Sequence, residues 1–154
     1  MTVTSVENYH RYDIRLHNKA IESIYRNGHE IKSFVRPDNR SDLQKLYVVK
    51  SNSEIIYIGQ TNRNVRDRLR YGLKAEGKGG YYGYMWSNLP KVCILIWCFD
   101  GKTKEYVETV EGEVVFLVRM RTGKWPSYQM EIHFHNAKTD EVEVAKAILR
   151  EATK

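Results

Sequence analysis

The chain reads as an α+β domain in which two strands, a helix, a third strand and a second helix follow one another, with additions at both ends. Three observations predict this. Residues 45–49 and 54–61 are runs rich in β-branched and aromatic side chains, separated by the short polar Lys50-Ser51-Asn52-Ser53, and this is a hairpin pattern. Residues 92–99 form a continuous apolar run, too short for a typical helix and made of strand formers, as a buried central strand would be. Residues 106–121 carry Val107, Val110, Val114, Leu117 and Val118 at helical spacing.

In chain order, residues 1–12 are polar. Residues 13–26 hold Ile14, Ile21, Ile24 and Tyr25 at partly helical spacing, with Asp13 placed to cap and Asn27-Gly28 placed to end a helix. Residues 29–34 read as extended, and 36–40 as a turn-rich joint into the hairpin. After the hairpin, Val65, Leu69 and Leu73 make a helical stripe over 62–74. Residues 77–86 mix glycines with aromatics and read as a long loop. Thr122-Gly123 and Pro126 close the second helix. Residues 129–136 alternate Ile132 and Phe134 with His133 and His135, predicting a short strand, and 142–153 predict a C-terminal helix. The division expected is an N-terminal extension, 1–40, packed on a core domain, 41–154. Forty residues are too few to fold alone without metal or disulfides.

Composition sets the outer bounds. The 154 residues suit one domain, and 42% hydrophobic residues exclude a disordered chain. A net charge of +6 favours a polyanionic partner. Cys93 and Cys98 lie on one strand pattern, pointing to opposite faces roughly 16 Å apart, and cannot pair with each other. No presequence and no run of about 20 apolar residues is present. The expectation is a soluble, cytoplasmic protein with no membrane contact.

The residues that carry chemistry cluster around the hairpin. With the turn centred on Asn52, Tyr47 is expected opposite Tyr57, their Cβ atoms about 5 Å apart on one face. Gly59 follows where the second strand must bend away. The next helix carries Arg63, Arg66, Arg68, Arg70 and Lys74 against Asp67, a set suited to phosphate by its guanidinium forks. Tyr81, Tyr82, Tyr84 and Trp86, with Lys74 and Lys78, suit base stacking and phosphate contact. On the second helix, Glu113 lies in a row with Tyr106, Val110, Leu117 and Met120. A carboxylate among apolar neighbours asks for a cation. Glu111 is about 160° away around the axis, on the side of Glu108 that reads as wetter. His133 and His135, without a cysteine cluster, suit local hydrogen bonds better than zinc.

Tyr47, the Tyr57-Ile58-Gly59 triplet, Arg68, Glu113 and the Pro126-Ser127-Tyr128-Gln129 segment together resemble the GIY-YIG nuclease family over roughly residues 45–130. The resemblance implies a small mixed or antiparallel three-stranded central sheet with β-β-α-β-α core order, flanked by helices. It implies a metal-dependent endonuclease acting on nucleic acid, DNA foremost. Tyr47 would act on the attacking water, its phenol lowered by metal and nearby cations. Tyr57 would bond the phosphate or a metal-bound water, Arg68 would bear phosphate charge, Glu113 would hold Mg²⁺ or Mn²⁺, and Gln129 would fix the pocket. Arg63, Arg66, Arg70, Lys74, Lys78, Tyr82 and Tyr84 would bind the nucleic acid. Two departures stand out: Gly72 replaces the His or Tyr that many members carry four residues after the arginine, and Gln129 replaces an Asn. They motivate the alternative of a catalytically inactive nucleic-acid-binding module. A protein with no nucleic-acid role is the third class.

Overall fold

In the computed structural model, which describes residues 6–81, 83–129 and 132–154, strand alternation begins well before the hairpin. Tyr12, Ile14 and Leu16 are buried while Arg11, Asp13 and Arg15 are exposed, the period of two of a strand with one covered face. They form β1 (His10–His17), followed by β2 (Ala20–Arg26) and β3 (His29–Ile31). Asn18-Lys19 and Asn27-Gly28 are the two connections, and all four residues have positive φ, from 50° to 80°. That backbone is the two-residue hairpin turn whose twist matches paired strands. The predicted helix over 13–26 is therefore corrected. Asn27-Gly28 ends no helix; it reverses a strand.

The chain continues through β4 (Gln44–Ser51), β5 (Glu54–Thr61), α1 (Val65–Lys74), β6 (Lys91–Phe99), α2 (Lys104–Thr122) and α3 (Glu141–Ala152). The six strands form one sheet in the order β3-β2-β1-β6-β4-β5, with every neighbouring pair antiparallel. This overturns the predicted three-stranded central sheet with its β-β-α-β-α order. The physical reason lies at β6. Its edge away from β4 would present unpaired backbone groups, and β1 takes them from His10 to Arg15. Residues 10–31 are part of the sheet.

α1 and α2 each start where a side chain replaces a missing backbone partner. The Asn64 side chain accepts from the Arg66 N–H, and the Thr103 hydroxyl accepts from the Tyr106 N–H. One face of the sheet, with Tyr12, Ile14, Tyr47, Val49, Ile94 and Ile96, packs on Val65, Leu69 and Leu73 of α1 and on Tyr84 and Trp86. The other face, with Leu46, Val48, Ile58, Leu95 and Trp97, packs on Val107, Val110, Val114 and Val118 of α2 and on α3. These two layers decide which side chains can meet.

The loop before β4 is held by a buried carboxylate. Asp38, 1% exposed, accepts hydrogen bonds from the Tyr12 hydroxyl at 2.6 Å and the Cys98 thiol at 3.2 Å, and lies 2.9 Å from His10 Nδ1. Nearby, Lys45 is fully buried and donates to the carbonyls of Arg40 and Leu43. Cys93 and Cys98 are both free thiols, kept protonated chiefly by burial. The strand predicted over 129–136 is absent among the described residues of that stretch. Phe134 is exposed there, and the alternation finds no partner strand. Among the described residues, no helix is long and apolar enough to cross a membrane.

Candidate active site

The hairpin sets out the first two phenols. In the β4–β5 ladder Tyr47 faces Gly59 and Val49 faces Tyr57, two residues away from the expected Tyr47–Tyr57 pair. An offset of two preserves the face, so both rings point to the α1 side, with centroids 6.2 Å apart. Gly59 has a role other than the predicted bend. A Cβ there would lie 2.5 Å from both Cζ and Oη of Tyr47. The missing side chain is the room in which the Tyr47 ring lies.

A third phenol arrives from the loop after α1. The Tyr84 N–H donates to the Gly72 carbonyl at 2.9 Å, and a Cβ on Gly72 would lie 2.2 Å from the Tyr84 ring. Tyr84 thus occupies the space that any larger residue at position 72 would claim. Its hydroxyl is 2.5 Å from that of Tyr47, its ring meets Tyr57 edge-on at 5.2 Å, and it stacks on Trp86 at 4.7 Å. Tyr84 and Trp86 are 3% and 1% exposed, so neither offers a free face to a base. Tyr82 lies outside the described residues.

Arg68 of α1 enters this cluster from above. Its guanidinium carbon is 5.0 Å from the Tyr84 ring centroid and 5.9 Å from that of Tyr81, and it donates to the Tyr81 hydroxyl at 3.1 Å. Burial works against the guanidinium charge. The phenols of Tyr47, Tyr84 and Tyr81 outweigh it, so Arg68 holds its proton more tightly than a free arginine. The phenols shift upward too. Tyr47 and Tyr57 are raised first by burial and then by Tyr84, with Arg68 opposing. Tyr84 is pushed up to about 12, again by burial first. Among the protein's own groups, desolvation outweighs the Arg68 cation at Tyr47.

The buried acid of α2 is Glu111. It is 7% exposed, and its charge adds to the raised pKa of Tyr57. It shares the buried stripe of α2 with Val107, Val114 and Val118, four, three and seven residues away. Glu113 is half-buried and lies about 160° around the helix from Glu111. Its row runs from the buried Tyr106 and Val110 through Leu117 at the core margin to Met120, which is 68% exposed. α2 as a whole packs on the sheet face opposite Tyr47 and Tyr57, and of its two acids Glu111 is the one whose charge is felt at Tyr57. The signal available in the sequence was the stripe of valines: the acid inside that stripe is the buried one.

Gln129 belongs to the site's frame. Its side-chain amide accepts from the Ile58 N–H and donates to the Ile58 carbonyl, both at 2.9 Å, which imitates a neighbouring strand on the free edge of β5. The Tyr128 N–H adds a bond to the Ile56 carbonyl. Arg63, Arg70, Lys74 and Lys78 are exposed, while Arg66 donates to the Lys32 carbonyl and ties α1 to the end of β3. His135 is 2.6 Å from Glu108 on α2.

A hard divalent cation takes oxygen ligands, and Mg²⁺ in particular needs only one or two protein carboxylates beside substrate phosphate and water. Among the described residues no three His, Cys, Asp or Glu side chains converge. Comparison with protein-family models, with curated proteins and with solved structures returned no match.

Proposed function

We propose that the protein hydrolyses phosphodiester bonds in nucleic acid, in the manner of the GIY-YIG nucleases it resembles, with Glu111 in place of Glu113 as the metal-binding acid. The observation that carries this is Arg68: a half-buried cation set among the rings of Tyr81 and Tyr84, with the buried carboxylate of Glu111 felt at the neighbouring Tyr57. A guanidinium held among neutral donors is suited to an incoming phosphate. In this reading Arg68 receives the scissile phosphate and bears its growing charge. Tyr47 and Tyr84, sharing one hydrogen bond, orient the attacking water. Tyr57 donates to a phosphate oxygen. Glu111 holds Mg²⁺ or Mn²⁺, which when bound supplies charge neutralisation and lowers the pKa of water. Gln129 keeps β5 in place. The exposed Arg63, Arg70, Lys74 and Lys78 contact flanking phosphates and steer association.

The test is cleavage of plasmid and of single-stranded and duplex oligonucleotides with Mg²⁺ or Mn²⁺. Wild type cuts; Glu111→Gln and Arg68→Ala lose at least about a hundred-fold, the scale of losing one stabilising group in a transition state. Glu113→Gln cuts like wild type. Equal background from wild type and Glu111→Gln would refute the catalytic reading. The second reading, a nucleic-acid-binding module without cleavage, draws on the raised pKa of both motif tyrosines. It expects binding that metal leaves unchanged.

A further inference from the structure

One exposed aromatic pair is not absorbed by the site above. Tyr71 of α1 is 54% exposed, and its ring stacks on Tyr81 at 4.9 Å and 11°. Arg63 lies over Tyr71 with its guanidinium carbon 5.6 Å from the ring centroid. An open hollow of about 520 Å³ lies beside Tyr71. Its wall carries Arg63, Arg70, Lys74 and Lys78 against Asp67 and Glu76, an excess of positive charge next to a flat apolar face. Tyr81, the lower ring of the stack, also receives the hydrogen bond from Arg68. The platform and the phosphate-binding arginine are therefore joined through one side chain.

We infer that this hollow binds a nucleotide with an unpaired base, so that the substrate class is single-stranded nucleic acid; this rests on the phosphodiester reading. A base in a duplex has both faces covered by its neighbours and offers none to a tyrosine. An unpaired base stacks on an aromatic ring whatever its identity, while lysines and arginines hold its phosphates. Arg63 is exposed and lifts from Tyr71 to admit the base, closing over it as a planar cation. The adjacent phosphate then falls toward Arg68.

The experiment is fluorescence anisotropy, without divalent metal, using a labelled single-stranded DNA oligonucleotide and the duplex of the same sequence. Tyr71→Ala weakens single-strand binding about ten-fold, the scale of losing one stacked base, and leaves duplex binding unchanged. Tyr71→Phe keeps the ring and binds like wild type. Tyr71 is exposed, so neither variant threatens the fold. Equal losses on both substrates, or no loss on the single strand, overturn the inference. A wild type that cuts in a Glu111-dependent way without preferring single strands overturns this inference alone. Binding through Tyr71 with no cleavage by wild type supports it while the hydrolytic reading fails.

Discussion

Replacing Gly72 by alanine tests whether Tyr84 truly occupies the space over α1. In an exposed helix interior this change stabilises by about 1 kcal/mol, because alanine loses less backbone entropy. Here the new Cβ would meet three atoms of the Tyr84 ring between 2.2 and 2.6 Å. The ring cannot swing aside freely, being stacked on Trp86, hydrogen-bonded to Tyr47 and edge-on to Tyr57. Overpacking of this kind costs about 1–3 kcal/mol, so the net effect is a loss of roughly 0–2 kcal/mol after the helix gain. The sharper quantity is a change of sign. Tyr84→Ala alone loses about 3–5 kcal/mol by leaving a cavity. In that background the clash is gone, and Gly72→Ala stabilises by about 1 kcal/mol. Urea denaturation of the four proteins, with near-ultraviolet circular dichroism reporting on Trp86, measures the cycle. Stabilisation by Gly72→Ala in both backgrounds would show that Tyr84 does not fill that space, and the three-phenol cluster would fall with it.

Two further outcomes follow from buried polar groups. Asp38→Ala leaves the Tyr12 hydroxyl and the Cys98 thiol without their shared acceptor. The expected loss is about 3 kcal/mol or more, measured by urea midpoint; a loss below about 1 kcal/mol, the value of an ordinary net hydrogen bond, would mean that the loop carries no buried network. The second outcome concerns pH. Tyr47, Tyr57 and Tyr84 hold their protons more tightly folded than unfolded, with burial as the first cause. Their contribution is therefore whole below the unfolded value near 10 and is lost as pH rises toward about 12 for Tyr84. Urea midpoints should stay level up to pH of about 9 and fall above 10, and the absorbance change of phenolate formation should lag behind that of exposed tyrosines. A phenolate appearing well below pH 10 in the folded protein would contradict the desolvated cluster.

The amino-acid sequence by itself determined the elements whose pattern is local. The β4–β5 hairpin, the valine-striped α2 and the Val65-Leu69-Leu73 stripe of α1 follow from periodicity and turn chemistry, which act over a few residues. So did the placing of Tyr47 and Tyr57 on one face, since an even register offset preserves the face. Only the tertiary structure decided the rest. Residues 13–26 present weak helical and weak strand periodicities together. The choice fell to β6, whose open edge binds β1 through backbone groups that no side-chain pattern reports. Glu111 and Glu113 sit two residues apart on one helix, and which is buried depends on the face α2 turns to the sheet. Tyr84 and Gly72 are twelve residues apart in the chain and meet only because the loop returns over α1. Contacts of that kind arise from packing between layers, and packing depends on side chains distant in sequence.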